Sequence, residues 1–178
     1  MIIIAFLGNP GKKYSRNRHN IGFMTGELLS VREGLPVNKK AFNSETGSGK
    51  ISGKDILLLF PQTYMNNSGS AVQKALKFYN SDPSSLIVVH DDLELPFGQI
   101  KTKYSGGHKG QNGIRSIIAE TGTADFHRIR FGIGRPENPD VAVSDHVLSN
   151  FTPLEMKMLE DLIPEAISHI ETLLDTIA

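Results

Sequence analysis

The sequence predicts an α/β fold: a single domain over residues 1–178, built on a twisted mixed β-sheet surrounded by helices. Three observations carry that reading. The runs Ile2–Leu7 and Leu86–Val89 are apolar without alternation, as expected of strands covered on both faces. Stretches with helical spacing fall between such runs, so strands and helices interleave. Gln99–Tyr104, in contrast, alternates polar and apolar residues and fits an edge strand, which makes the sheet mixed. No repeat, low-complexity tract or linker divides the chain.

The elements follow in order. Ile2–Leu7 is a buried strand that empties into Gly8-Asn9-Pro10-Gly11. Asn20–Arg32 carries apolar residues at Ile21, Met24, Leu28 and Val31, a helical spacing. Ile51 and Ile56–Phe60 flank Ser52-Gly53-Lys54-Asp55, a hairpin signal that Pro61 closes. Ser68–Tyr79 is a helix with a stripe of Ala71, Val72, Ala75, Leu76 and Tyr79. After the turn at Asp82-Pro83 comes the strand Leu86–Val89, and Pro96-Phe97-Gly98 turns the chain into the edge strand. The glycine-rich loop Gly106–Gly113 leads into a helix at Ile114–Glu120. Arg128–Gly134 sets Ile129, Phe131 and Ile133 on one face and predicts a half-buried strand. Thr152-Pro153-Leu154-Glu155 is a capping box with proline in the first helical position, opening a helix that runs to the end of the chain.

Composition removes several functions. With no cysteine there is no disulfide, thiolate metal site or catalytic thiol. The six histidines show neither His-x-x-x-His nor His-x-His spacing, and His90-Asp91 alone is too small a match, so no metal and no cofactor is expected. No Gly-x-Ser-x-Gly elbow supports a serine triad. No apolar run approaches the roughly 20 residues of a membrane span. Ile2–Leu7 is too short for an export signal and lacks a basic lead-in, so a cytoplasmic protein with no membrane contact is expected.

The formal net charge is zero, which alone argues against a nucleic-acid partner, but its distribution argues otherwise. Residues 1–54 hold nine Lys or Arg against three Glu. Residues 99–135 hold Lys101, Lys103, Lys109, Arg115, Arg128, Arg130 and Arg135 against Glu120 and Asp125. Residues 136–178 reverse the balance, with nine acids and only Lys157. Either one basic face is offset by an acidic helix, or solvated charge clusters in sequence without consequence.

His19 is the sharpest single residue. Alone, a histidine at a helix start is more often a surface or capping group. Its company changes the reading: Asn9 follows the strand Ile2–Leu7, Asn66 follows Ile56–Phe60, and Asp91 follows Leu86–Val89. Groups beyond the carboxyl ends of strands in an open α/β sheet converge on one crevice, and Asn112 would join them from the glycine loop. A neutral imidazole can take a proton from water while an ionised carboxylate orients the ring and stabilises the imidazolium. Asparagine amides bind an oxyanion or a substrate amide without titrating. The pattern points to hydrolysis. The plainer alternative makes Asp91-Asp92 a solvated turn and Asn66-Asn67 a helix start capped by Ser68. The glycine loop stays open between a phosphate cradle, with Lys109 and a helix N-terminus nearby, and an ordinary turn.

Six motifs together resemble bacterial peptidyl-tRNA hydrolases. They are Gly8-Asn9-Pro10-Gly11 with Tyr14; Arg18-His19-Asn20-Ile21-Gly22; Thr63-Tyr64-Met65-Asn66-Asn67-Ser68-Gly69; His90-Asp91-Asp92-Leu93; Gly106-Gly107-His108 with Gln111-Asn112-Gly113; and Phe126 through Gly134. They run in order from about residue 2 to about residue 150. The resemblance implies a monomer with no metal that cleaves the ester joining a peptide to the terminal ribose of tRNA, recycling prematurely released peptidyl-tRNA in translation. It also implies that His19 is the general base, Asp91 its carboxylate partner, and Asn9 a residue beside the ester that distinguishes blocked from free amino groups. Tyr14, Tyr64, Asn66 and Asn112 would contact peptidyl-tRNA, with Met65 in the channel wall. Lys103 and Arg130 would hold the phosphates of the acceptor stem and CCA end.

Two positions depart from many members of that family, which carry histidine in place of Gln111 and glycine in place of Lys109. No catalytic role is therefore expected of Gln111, and Lys109 adds a cation that either strengthens phosphate binding or faces water. The chain also ends at Ala178, short of the tails of many relatives, so contacts made by such a tail are expected to be missing. The rival to an esterase is an RNA-binding relative that kept the fold and lost the chemistry. Survival of the base, its carboxylate and the asparagines favours the esterase.

Overall fold

The computed structural model describes residues 1–177. Its elements are β1 (Ile2–Phe6), α1 (Ile21–Glu33), β2 (Lys39–Ala41), β3 (Ser44–Ile51), β4 (Lys54–Pro61), α2 (Ser68–Phe78), β5 (Leu86–Asp92), β6 (Ile100–Tyr104), α3 (Asn112–Thr121), β7 (His127–Gly132), α4 (Val143–Val147) and α5 (Pro153–Thr176). Turns of 3₁₀ helix include Arg18–Asn20 and Met65–Asn67.

The seven strands form one sheet in the order β2-β3-β4-β1-β5-β7-β6. The inner strands β4, β1, β5 and β7 are mutually parallel, while β3, β2 and β6 are antiparallel to their neighbours. The expected α/β class, mixed sheet and edge position of Gln99–Tyr104 are all present. Side chains of the inner strands alternate between two cores. Ile2, Ile4 and Phe6 pack with α1 and α5, whereas Ile3, Ala5 and Leu7 pack with α2 and α3. This double cover is why those strands read as unbroken apolar runs. Thr152 and Glu155 form the predicted capping box at the start of α5.

The chain leaves β1 toward β4 on one side and returns to β5 on the other. The switch point therefore lies at the carboxyl ends of β4, β1 and β5, where α/β sheets open a crevice. Gly22 brings α1 down onto it: a β-carbon there would stand 2.5 Å from the carbonyl oxygen of Leu7 and 2.6 Å from that of Val89. The helix start that follows His19 is thus pressed against the ends of β1 and β5.

The structure adds β2 and extends β3 back to Ser44, beyond the residues the hairpin signal marked. It also corrects the reading of β7 as half-buried. Arg128 is 3% exposed, and its guanidinium donates to the backbone oxygens of Gly107 (2.9 Å), Gly106 (2.5 Å) and Ala124 (3.0 Å) while lying over the Phe126 ring. It is an internal tie for the glycine loop.

Candidate active site

The crevice is a cleft of about 410 Å³. It is lined by Asn9, Tyr14, His19, Tyr64, Met65, Asn66, Asp91 and Asn112 among others, so eight of the ten predicted site residues share one cavity. Val143, Ser144, Val147 and Leu148, from α4 and its end, close one side. Lys103 and Arg130 lie outside it.

His19 sits in the 3₁₀ turn before α1 and is buried. Its Nδ1 lies 2.7 Å from Asp91 Oδ2, on β5. The carboxylate accepts, so Nδ1 carries the hydrogen and neutral Nε2, which has no partner among the described residues, is left as a base. Burial alone would lower the pKa of this imidazole, but the charge and hydrogen bond of Asp91 outweigh it and the pKa is raised. For Asp91, burial pushes upward, yet hydrogen bonds from His19 and Gln111 and the nearby imidazoles hold its pKa below the ordinary carboxylate value. Asp91 is 2% exposed, which rules out a solvated turn. The neighbouring His90 is also buried, donates from Nδ1 to the Asp91 backbone oxygen (2.8 Å), and has its pKa lowered chiefly by burial.

Asn9 is held by three bonds. Its N–H donates to Asn20 Oδ1 (2.9 Å), its backbone oxygen accepts from Asn20 Nδ2 (2.9 Å), and its Oδ1 accepts from the Met65 N–H (2.7 Å). Only Nδ2 remains for a ligand. Asn9 therefore offers a donor and not a carbonyl, and acceptance of a substrate N–H falls to other groups. Asn66 and Asn112 are exposed and their amides make no internal hydrogen bond, so either can present both ends. The plain alternative of Ser68 as a helix cap does not hold: Asn67 is the N-cap, and the Ser68 hydroxyl donates to the Met65 backbone oxygen (2.8 Å).

Tyr64 has φ 61° and ψ 157°, a backbone conformation non-glycine residues rarely adopt. It aims the Met65 N–H at Asn9 and leaves the Tyr64 ring 55% exposed, edge-on to Tyr14 at 6.3 Å. Met65 is buried and lines the cleft.

The glycine loop works as a structural device. Arg128 holds the carbonyls of Gly106 and Gly107, and His108 accepts from the Gly110 N–H at Nδ1 and from the Gln111 N–H at its backbone oxygen. What the loop delivers to the cleft is Gln111 and Asn112.

Beside the cleft lies a cationic strip. Arg130 Nε donates to Asp92 Oδ2 (2.7 Å), and its terminal nitrogens have no partner among the described residues. The pKa of Lys103 is lowered, by desolvation first and then by Lys109, Arg130 and Arg128. Like charges gathered this closely favour a counter-anion. Arg135 is paired with Glu94 and adds little.

Sequence reasoning passed over Asn20, which locks Asn9, and Arg18. The Arg18 guanidinium donates to Ser149 Oγ (2.5 Å), the Asn150 backbone oxygen (2.8 Å) and Glu155 (2.8 Å). The capping glutamate of α5 thereby anchors the turn that carries His19. Gln111, for which no role was expected, reaches Asp91 Oδ1 (2.9 Å). Among the described residues, no group of three His, Asp or Glu side chains is arranged to hold a metal ion.

Comparison with known proteins places this geometry. The family model described as peptidyl-tRNA hydrolase matches residues 3–178. A peptidyl-tRNA hydrolase of Trichlorobacter lovleyi is 47% identical over 174 residues, covering 98% of this chain and 89% of that one. One from Geotalea daltonii is 46% identical over 171 residues, covering 96% and 88%. The crystal structure of peptidyl-tRNA hydrolase from Acinetobacter baumannii superposes with a TM-score of 0.92 at 38% identity, covering 99% of this chain and 89% of that one.

Proposed function

The chain belongs to the peptidyl-tRNA hydrolase family, and on that premise we propose that it cleaves the ester between a peptide and the 3′-terminal ribose of tRNA through His19 and Asp91. The observation that carries the assignment is the 2.7 Å bond from His19 Nδ1 to Asp91, which leaves Nε2 as an accessible base in a cleft lined with asparagine amides.

The reaction runs in two proton transfers. His19 Nε2 takes a proton from water, and the hydroxide attacks the ester carbonyl. Asp91 stays ionised and stabilises the imidazolium. Amide N–H groups of Asn9, Asn66 and Asn112 donate to the oxyanion and position the peptide. When the tetrahedral intermediate collapses, the imidazolium returns its proton to the departing ribose oxygen, giving free tRNA and a peptide carboxylic acid that then releases its proton to solvent. Tyr14, Tyr64 and Met65 flank the CCA end and the peptide.

Lys103, Arg130 and Lys109 receive backbone phosphates of the acceptor stem. Such contacts position RNA without reading sequence, which suits an enzyme that must serve many tRNAs. A single domain acting as a monomer in the cytoplasm accounts for all of this. No helix is long and apolar enough to cross a membrane.

The test is release of free tRNA from N-acetyl-aminoacyl-tRNA without added metal, repeated with excess chelator. Hydrolysis unaffected by chelator supports the metal-independent general-base reading. Activity that disappears with chelator and returns with a divalent ion overturns it.

A further inference from the structure

We propose that Gln111 is a positioning residue for this reaction, clamping the Asp91 carboxylate so that His19, Asp91 and Gln111 act as one relay. The inference rests on the assignment of His19 and Asp91 above.

Gln111 is the N-cap of α3, and its side chain is fully committed. Oε1 accepts from the Ile114 N–H (2.7 Å), satisfying one of the orphan donors of the helix start. Nε2 donates to Asp91 Oδ1 (2.9 Å) and to Met65 Sδ (3.4 Å). A primary amide has two hydrogens to give and a carbonyl oxygen to receive, and here both hydrogens and the oxygen have partners. Exchanging O and N would set an N–H against the Ile114 N–H and a carbonyl against a carboxylate. The orientation is therefore forced.

From the carboxylate's side the consequence is sharper. Asp91 is 2% exposed, and its two oxygens have one side-chain partner each: Oδ2 has His19 and Oδ1 has Gln111. Remove Gln111 and a buried carboxylate oxygen loses its donor, which is costly. The group is then free to turn about its own axis, and the histidine it orients turns with it. Because an amide does not titrate, Gln111 holds this position at every working pH. It caps a helix and aligns a carboxylate with the same three atoms.

Two variants separate those roles. Gln111→Ser keeps a good capping hydroxyl for α3 but cannot reach Asp91. Gln111→Glu keeps the length and the cap, but sets a carboxylate against Asp91. Each is compared with the unaltered protein and with His19→Ala in cleavage of N-acetyl-aminoacyl-tRNA, with thermal melts alongside. Gln111→Ser is expected to melt several degrees below the parent, the cost of leaving Asp91 Oδ1 without its donor, yet to stay folded, keep its KM, and lose roughly tenfold in kcat, the scale of one hydrogen bond to a charged group. Asp91, relieved of a competing donor, then binds the imidazolium more strongly, so the acid limb of the pH–rate profile moves to higher pH. In Gln111→Glu two close carboxylates share one proton, so kcat is expected to stay near the parent's while that proton is bound and to fall as pH rises and it leaves. Unchanged kcat and an unmoved limb in Gln111→Ser reduce Gln111 to a helix cap and overturn the proposal. If Gln111→Ser fails to fold, Gln111→Thr, an equally short capping residue, decides by the same two readouts. Normal turnover in His19→Ala overturns the active-site assignment itself, and is told apart from failure of this inference by that variant.

Discussion

The cleft and the cationic strip beside it hold polar residues in opposite ways. In the cleft, His19, Asp91, Asn9 and Gln111 are each fixed by hydrogen bonds to named partners, and the groups left open are few: Nε2 of His19 and Nδ2 of Asn9. On the strip, Lys103 and the terminal nitrogens of Arg130 have no partner among the described residues, and desolvation together with neighbouring cations raises the cost of the charge on Lys103. A reaction needs atoms held in place before the substrate arrives, because reorganisation during the reaction adds to the barrier. A docking surface for a polyanion needs charge and little else. On the proposed function, the two regions would bind one substrate by two kinds of physics, which mutation and salt can separate.

The largest expected effect is at the base. His19→Ala should lower kcat by about 100-fold or more with KM little changed, since the loss is of proton transfer. Steady-state release of tRNA measures it, and near-normal turnover breaks the distinction at once. Next is specificity. N-acetyl-aminoacyl-tRNA should be cleaved far faster than the same tRNA with a free amino group, whose buried ammonium finds no carboxylate partner. Because Asn9 Oδ1 also holds the Met65 N–H, Asn9→Asp is the clean variant. It keeps that acceptor, removes the donor and supplies a charge to an ammonium. The ratio between substrates should narrow by roughly fivefold to tenfold, about one hydrogen bond. An unchanged ratio removes Asn9 from specificity.

The strip should answer differently. Lys103→Ala and Arg130→Ala should each raise KM several-fold at constant kcat, with log KM against log salt shallower by a little under one unit per lost contact. Arg130→Ala should have the larger effect, because it also leaves Asp92 unpaired beside the phosphate path. Salt slopes that match the parent reduce both residues to solubilising charge. The smallest effect concerns stability. His90 is buried neutral with a lowered pKa, so the unfolded chain binds its proton first as pH falls. The folded state therefore loses stability below the unfolded pKa of about 6.5. His90→Asn should flatten denaturant-derived stability against pH between about 6.5 and 5, and an unaltered slope would mean that His90 is not buried uncharged.

How much of this the sequence disclosed depended on what each residue answers to. The inner strands were legible because Ile2–Phe6 and Leu86–Val89 are covered on both faces, and burial on two sides writes itself as an unbroken apolar run. The capping box was legible because its four residues act on one another. β3 was not, since Ser44, Thr46 and Gly47 are buried by backbone pairing with β4 and close packing under Leu35 and Pro36 rather than by apolar side chains. Arg128 misled for a related reason. Two of its three partners are carbonyls of a loop some twenty residues earlier, and nothing near Arg128 in sequence announces them. Asn9, His19 and Asp91 were legible from their places after strands and in motifs. Their partners Asn20 and Gln111 were not, because an amide's role is set by which atoms meet it in space.

The central claim is that Asp91 and His19 act as a pair, and the acid limb of the pH–rate profile of Asp91→Asn tests it most directly. The carboxylate raises the pKa of the histidine, and the histidine must be neutral to accept a proton from water. Replacing the charge with an amide should lower kcat far more than it changes KM, and should move the acid limb to lower pH. An acid limb that stays in place after the substitution would contradict the account.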